Sequence, residues 1–258
     1  MKITRKEFLK ISGACLITLT GGKALVALDQ SVKGQAAPAQ APKPTKQLGM
    51  IVDTRKCAKA QGCTKCVEAC VQAHNIPSFQ NPAHQIKWIW EKPFGDLFSS
   101  YETQYMEPSL KDESTPVLCN HCDNPPCVRV CPTGATWKRP EDGIVMMDWH
   151  RCIGCRFCMA ACPYGARSFN WVDPRPHIKD LNPDFPTRTK GVVEKCIFCA
   201  ERLAVGQLPA CVEACPEKAL IFGDVNDPKS EIRQLLAKSY TLRRRPELGT
   251  GPNIYYLV

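Results

Sequence analysis

Sixteen of the seventeen cysteines fall into four runs of four, and that pattern constrains the chain more than anything else in it. The densest run is "CIGCRFCMAACPYGA", with Cys152, Cys155, Cys158 and Cys162 spaced C-x2-C-x2-C-x3-C and a proline directly after the last. Structural zinc sites draw two ligands from each of two separated knuckles. Three thiolates on one short loop suit a larger, cubic object, and in bacterial ferredoxins the fourth cysteine of such a run ligates a neighbouring cluster. The proline stops the chain from continuing as an ordinary helix. The run therefore predicts a [4Fe-4S] cluster and a second run to pair with it.

Three further runs are present. They are Cys57, Cys63, Cys66, Cys70 in "CAKAQGCTKCVEAC"; Cys119, Cys122, Cys127, Cys131 in "CNHCDNPPCVRVCP"; and Cys196, Cys199, Cys211, Cys215 in "CIFCAERLAVGQLPACVEACP". The last gap is x3 in all four, and in three of them proline follows the last cysteine. The sequences after those prolines also repeat: "CPTGATW", "CPYGARSF", "CPEKALIF". Each reads as a unit of strand, cluster loop, short helix and a strand after the turn. "EDGIVMMD" at 141–148 adds an Asp-Gly hairpin signal. An α+β fold follows, in which loops carry the ligands. Cysteines packed two residues apart are poor disulfide partners for one another, and four zinc sites would not need triplets.

The formal charge is +9. Residues 1–36 carry Lys2, Arg5, Lys6, Lys10, Lys23 and Lys33 against Glu7 and Asp29, so the remainder holds +5. An oxidised [4Fe-4S] core with four thiolates carries −2, and four of them would bring residues 37–258 to about −3. The basic balance thus reads as compensation for buried anions. Basic residues are scattered and lack an interleaved aromatic platform, which argues against nucleic-acid binding. No nucleophile–base constellation, phosphate loop or dinucleotide fingerprint stands out, so no catalytic residue and no substrate site is expected.

The start reads as an address: a basic n-region "MKITRKEFLK", the weakly apolar 11–28, then a Gln/Ala/Pro-rich stretch. Thr4 to Lys10 resembles a twin-arginine signal with lysine in place of the second arginine. Small residues near Ala36 offer a cleavage site, and the other reading is an uncleaved N-terminal anchor. Lys23 and the glycines make a poor spanning helix. Cys15, inside this segment, reads as chemically idle. The organisation expected is an export signal over 1–36, a linker over 37–49, a four-cluster domain over 50–225 and a docking tail over 226–258. The tail carries Arg243, Arg244 and Arg245, which read either as a contact for an acidic partner or lipid headgroups or as a solvated charge run. It ends in the apolar "IYYLV", which burial would place along the protein's own cluster modules or, the placement expected, against a membrane-bound neighbour.

Over residues 50–225 the four runs resemble the four-cluster, ferredoxin-like electron-transfer subunits of anaerobic respiratory complexes, such as the B-type subunits of dimethyl sulphoxide, tetrathionate and polysulphide reductases. Within that family, "CAKAQGCTKCVEACVQAHNIP", "NPDFPTRTKGVVEKCIFCAERL" and "RRRPELGTGPNIYYLV" are most similar to the periplasmic iron–sulphur O subunits of Dsr membrane complexes. The resemblance implies four [4Fe-4S] clusters in two interleaved ferredoxin-like modules, an inner one over 116–170 and an outer one over 50–78 plus 190–225. It also implies exchanged last ligands: Cys119, Cys122, Cys127 with Cys162; Cys152, Cys155, Cys158 with Cys131; Cys57, Cys63, Cys66 with Cys215; and Cys196, Cys199, Cys211 with Cys70. Implied partners are a quinone-interacting integral membrane subunit and a multihaem cytochrome c in a hetero-oligomeric complex on the periplasmic face of the membrane. The first run departs from the family pattern, with x5 between Cys57 and Cys63 and no proline after Cys70.

Other residues have competing readings. His121, between two cysteines, is expected beside a cluster or at the surface rather than on iron. Trp88, Trp90, Phe94, Phe98, Tyr101 and Tyr105, between runs one and two, fit the packing of an inserted segment better than a docking face.

Overall fold

The computed structural model describes residues 44–258. The expected export signal and most of the linker lie outside the described residues. In chain order the secondary structure is β1 (Leu48–Asp53), α1 (Thr54–Ala58), α2 (Lys65–Ala73), β2 (Ile89–Pro93), α3 (Phe94–Leu97), α4 (Pro108–Lys111), β3 (Ser114–Leu118), α5 (Pro126–Arg129), β4 (Thr136–Lys138), β5 (Val145–Met147), α6 (Phe157–Ala161), β6 (Ser168–Phe169), β7 (Val193–Glu194), α7 (Ala200–Ala204), α8 (Ala210–Glu213), β8 (Leu220–Asp224), α9 (Glu231–Lys238), β9 (Thr241–Leu242) and β10 (Ile254–Leu257). This is an α+β chain of short elements, as the repeated units led one to expect. No helix among the described residues is long and apolar enough to cross a membrane.

The largest sheet has the order β8-β1-β10-β9. All six residues of β1, "LGMIVD", are buried, as suits a strand covered on both faces. It pairs antiparallel with β8 and parallel with β10, Met50 opposite Ile254 and Val52 opposite Tyr256. Here the structure corrects the sequence reading. The end of the expected docking tail is an interior strand: Ile254 and Tyr256 are fully buried, and the Tyr256 ring meets Phe98 edge-on at 5.1 Å. "IYYLV" is apolar because it lies between β1 and β9. The arginine run is not uniformly solvated: Arg243 is half-buried and Arg245 exposed. Arg244 is buried over the Tyr164 ring, Arg245 donates to the Pro163 carbonyl at 3.1 Å, and Arg243 lies over Tyr255.

The segment between runs one and two forms the β2–β3 hairpin, Ile89 opposite Leu118. Trp88, Phe94 and Phe98 are buried and Trp90 packs against the same core, whereas Tyr101 and Tyr105 are exposed. Trp88 stacks on His74 at 4.6 Å and donates through Nε1 to Glu194 at 3.0 Å. Glu194 also receives Asn170 at 2.5 Å and pairs with Arg188 at 2.9 Å, with both charges fully withdrawn from water. This network ties the hairpin to β7 and the start of the fourth run. The Asp-Gly signal closes a two-stranded ribbon: β4 and β5 pair antiparallel, and Gly143 takes φ +75 in the turn.

Candidate iron–sulphur sites

The second and third runs each lie on a loop that ends in a short helix. The fourth run is interrupted by α7 between Cys199 and Cys211, and the first begins inside α1, which holds Cys57. In three runs the third cysteine sits in the helix and the fourth lies just past its end. Thus Cys127 is in α5 and Cys131 beyond it, Cys158 is in α6 and Cys162 caps it, and Cys211 is in α8 with Cys215 beyond. Pro132, Pro163 and Pro216 stand where those helices have stopped. The first run differs because α2 is longer. Cys66 and Cys70 both lie inside it, one turn apart, and the helix runs on to Ala73, which explains the missing proline. Helices α2 and α8 pack together, as do α5 and α6. Within each pair the fourth cysteine of one run is thereby carried toward the first three of the other.

Four groups of thiols result. Cys119, Cys122, Cys127 and Cys162 line one small cavity, together with Tyr164 and Arg167. A second small cavity is lined by Cys131, Cys152, Cys155 and Cys158 with Thr136 and Met147. In the third group burial pushes Cys57 up to about 11, helped by Cys215 and Cys63, and pushes Cys66 up to about 12, helped by Cys57 and Cys215. In the fourth, burial drives Cys70 well above the ordinary thiol range, and Cys196, Cys211 and Cys199 push it the same way. The longer Cys57–Cys63 gap is absorbed by a turn through Gly62 at φ +69, so Cys57 still reaches its group.

Left-handed backbone shapes these loops. Gly154 has φ +70, and a Cβ there would lie 2.4 Å from the Gly191 carbonyl oxygen. Arg156, Phe198 and Cys199 also take positive φ, the first and last at helix starts. The loops aim main-chain donors at sulphur: Phe198 N–H at Cys196 Sγ (3.4 Å), Ala210 N–H at Cys199 Sγ (3.4 Å) and Ala219 N–H at Cys215 Sγ (3.2 Å). Residues 111–175 match the 4Fe-4S dicluster domain family, and residues 151–219 match a second family of the same description. The chain is 39% identical to the Hdr-like menaquinol oxidoreductase iron–sulphur subunit 1 of Archaeoglobus fulgidus, over 98% of this chain and 97% of that one. It is 38% identical to the menaquinone reductase iron–sulphur cluster-binding subunit of Nitratidesulfovibrio vulgaris, over 81% and 88%. It is 35% identical to the B-type subunit of tetrathionate reductase from Salmonella typhimurium, over 100% and 89%. The chain belongs to this family of iron–sulphur electron-transfer subunits of anaerobic respiratory complexes.

Its two ferredoxin-like dicluster domains carry four [4Fe-4S] clusters. The donor sets fit them: the sixteen cysteines among the described residues are all free, and they gather as four sets of four soft ligands. The first run lies outside both family matches, so the grouping of Cys57, Cys63 and Cys66 rests on the fold alone.

Buried polar groups that the sequence reading did not single out surround the thiols. Arg167 is buried in the inner pair, and its Nη2 donates to Thr136 at 2.9 Å. Lys195 is fully buried, donating to the carbonyls of Val145 and of Cys196, the latter at 2.7 Å. Burial pulls its pKa below the ordinary range against the opposing effect of Cys119 and Cys196. His74 hydrogen-bonds the Cys70 carbonyl through Nδ1 at 3.0 Å and Glu201 through Nε2 at 2.9 Å. The only sequence signal for Arg167 was its place in the repeat "CPYGARSF". His121 is fully buried: Nδ1 accepts from Val145 N–H at 3.1 Å and the ring stacks on Phe198 at 3.8 Å. Burial, with Lys195 and Arg167 near, holds it well below the usual histidine range and therefore neutral.

Proposed function

We propose that the chain is a redox wire in which the four thiol groups are four ligand sets, interleaved as two ferredoxin-like modules. Cys119, Cys122, Cys127 and Cys162 would form one set, and Cys131, Cys152, Cys155 and Cys158 its partner in the inner module. Cys57, Cys63, Cys66 and Cys215, with Cys70, Cys196, Cys199 and Cys211, would form the outer module around it. A [4Fe-4S] cluster supplies a one-electron couple whose potential follows hydrogen bonding, charge and exposure. The protein's part is to hold four such groups in one rigid body, aim N–H donors at their sulphurs and keep water from the buried thiolates. The observation that supports the reading is that Cys162 lines the cavity of Cys119, Cys122 and Cys127, while Cys131 lines that of Cys152, Cys155 and Cys158.

In the finer reading, the chain passes single electrons between a periplasmic multihaem cytochrome c and a quinone-interacting integral membrane subunit, within a Dsr complex of dissimilatory sulphur metabolism. It would sit on the periplasmic face, delivered folded by the signal over 1–36 and held there by its partners. Support comes from two relatives named for menaquinol and menaquinone chemistry, one of them matched over nearly its whole length. A second reading, as the electron-transfer subunit of an exported molybdenum oxidoreductase, is favoured by the tetrathionate reductase relative. Gentle purification of the native membrane complex with identification of every subunit distinguishes the two. The ligand sets are tested separately. About sixteen iron atoms per chain are expected, and Cys131→Ser and Cys155→Ser should disturb the same paramagnetic signal while Cys162→Ser disturbs its neighbour. If the Cys131 and Cys127 variants lose one signal and the Cys155 variant keeps it, the interleaving is wrong.

A further inference from the structure

Arg167 stands five residues after Cys162, and Thr136 stands five residues after Cys131. They occupy equivalent places in two copies of the repeat, and they touch: Arg167 Nη2 donates to Thr136 Oγ1 at 2.9 Å. Equivalent residues of paired repeats meet only near the axis that relates them, midway between the two halves. The surroundings agree with that. Arg167 lines the cavity of Cys119, Cys122, Cys127 and Cys162, while Thr136 and Met147, both within reach of its guanidinium, line the cavity of Cys131, Cys152, Cys155 and Cys158. Only 5% of the residue is exposed, and it forms no ion pair with a carboxylate among the described residues. A guanidinium cannot shed its charge. A buried, unpaired cation is costly unless an anion compensates it. Its nearby anionic groups are thiols of both sets: burial opposes its charge, but Cys127 and Cys158 outweigh that and hold it above its ordinary range. The matching place in the outer module's fourth run is Leu220, which carries no charge.

We propose that Arg167 is a positioning residue of the inner module, a fixed positive charge shared between two neighbouring cluster sites that raises the reduction potential of both. The inference rests on the ligand sets proposed above. Uptake of one electron without a proton takes a four-thiolate site from −2 to −3, so a cation placed between two sites stabilises the reduced form of each. Leu220 offers the outer pair no such effect.

The test uses the full-length holoprotein in its complex, with the inner and outer signals assigned through the cysteine variants. Arg167→Met keeps the bulk and removes the charge; Arg167→Lys keeps the charge. In Arg167→Met the oxidised-to-reduced ratio of both inner clusters at a fixed ambient potential should rise about tenfold, a fall of about 59 mV for a one-electron couple. The outer pair should move less than about threefold, and Arg167→Lys should recover at least about half of the shift. The proposal is overturned if the inner potentials stay put, if only one of them moves, if all four move together, or if both variants lose iron. Failure of the ligand reading looks different: the unsubstituted protein itself would lack four cluster signals, or its cysteine variants would pair otherwise.

Discussion

Removing residues 253–258 should destroy the protein's capacity to hold clusters, although no cysteine lies among them. The segment supplies β10, the strand between β1 and β9. Ile254, Tyr256 and Leu257 expose 3% or less. Burial of a side chain of that kind contributes about 1.5–3 kcal/mol, so the three together account for about 5–9 kcal/mol. Deletion also strips one edge of β1 of its ladder partners from Met50 to Asp53. Thr54, whose hydroxyl donates to the Leu257 carbonyl at 2.8 Å, loses its acceptor at the start of the helix bearing Cys57. Whole domains hold only about 5–15 kcal/mol of net stability, so the loss is comparable to the total. The assay is iron and labile-sulphide content with visible absorption and circular dichroism of the truncated chain, prepared anaerobically beside the full one. Tyr256→Phe is the control. It removes only a 3.4 Å hydrogen bond to the Pro116 carbonyl and should cost about 1 kcal/mol with iron content intact. A truncated chain with full iron content and unchanged thermal stability would refute the reasoning and return these residues to a docking role.

Two further outcomes follow from the same geometry. Glu194→Gln leaves Arg188 charged, buried and unpaired, and should cost about 3–5 kcal/mol, read as faster thermal loss of visible absorption with little change in the potential of surviving clusters. Gly154→Ala forces a Cβ onto the Gly191 carbonyl at a positive φ between Cys152 and Cys155; about four iron atoms should be lost from the Cys131, Cys152, Cys155, Cys158 group, with the other three signals retained.

What the sequence determined by itself was chemistry. Thiolate ligands must be close in the chain to wrap one small object, so Cys152, Cys155 and Cys158 announce their site without any fold. The proline after Cys162 and the Asp-Gly pair at 142–143 act on their own backbone, and both the helix stop and the hairpin were legible for that reason. Tertiary structure decided whatever depends on residues far apart. That Cys215 comes to Cys57, across 158 positions, follows from the pairing of β1, which leads into the helix bearing Cys57, with β8, which follows Cys215. That "IYYLV" is an interior strand follows from the apolar β1 needing a second neighbour, since an apolar end looks the same in sequence whether it meets its own sheet or another protein. Arg243, Arg244 and Arg245 read as a charge run because sequence gives no direction to a side chain; the fold sends them over Tyr255, over Tyr164 and to the Pro163 carbonyl. Arg167 passed unnoticed for the same reason. A lone arginine carries no motif, and its significance arises only because two repeats pack so that their equivalent positions meet.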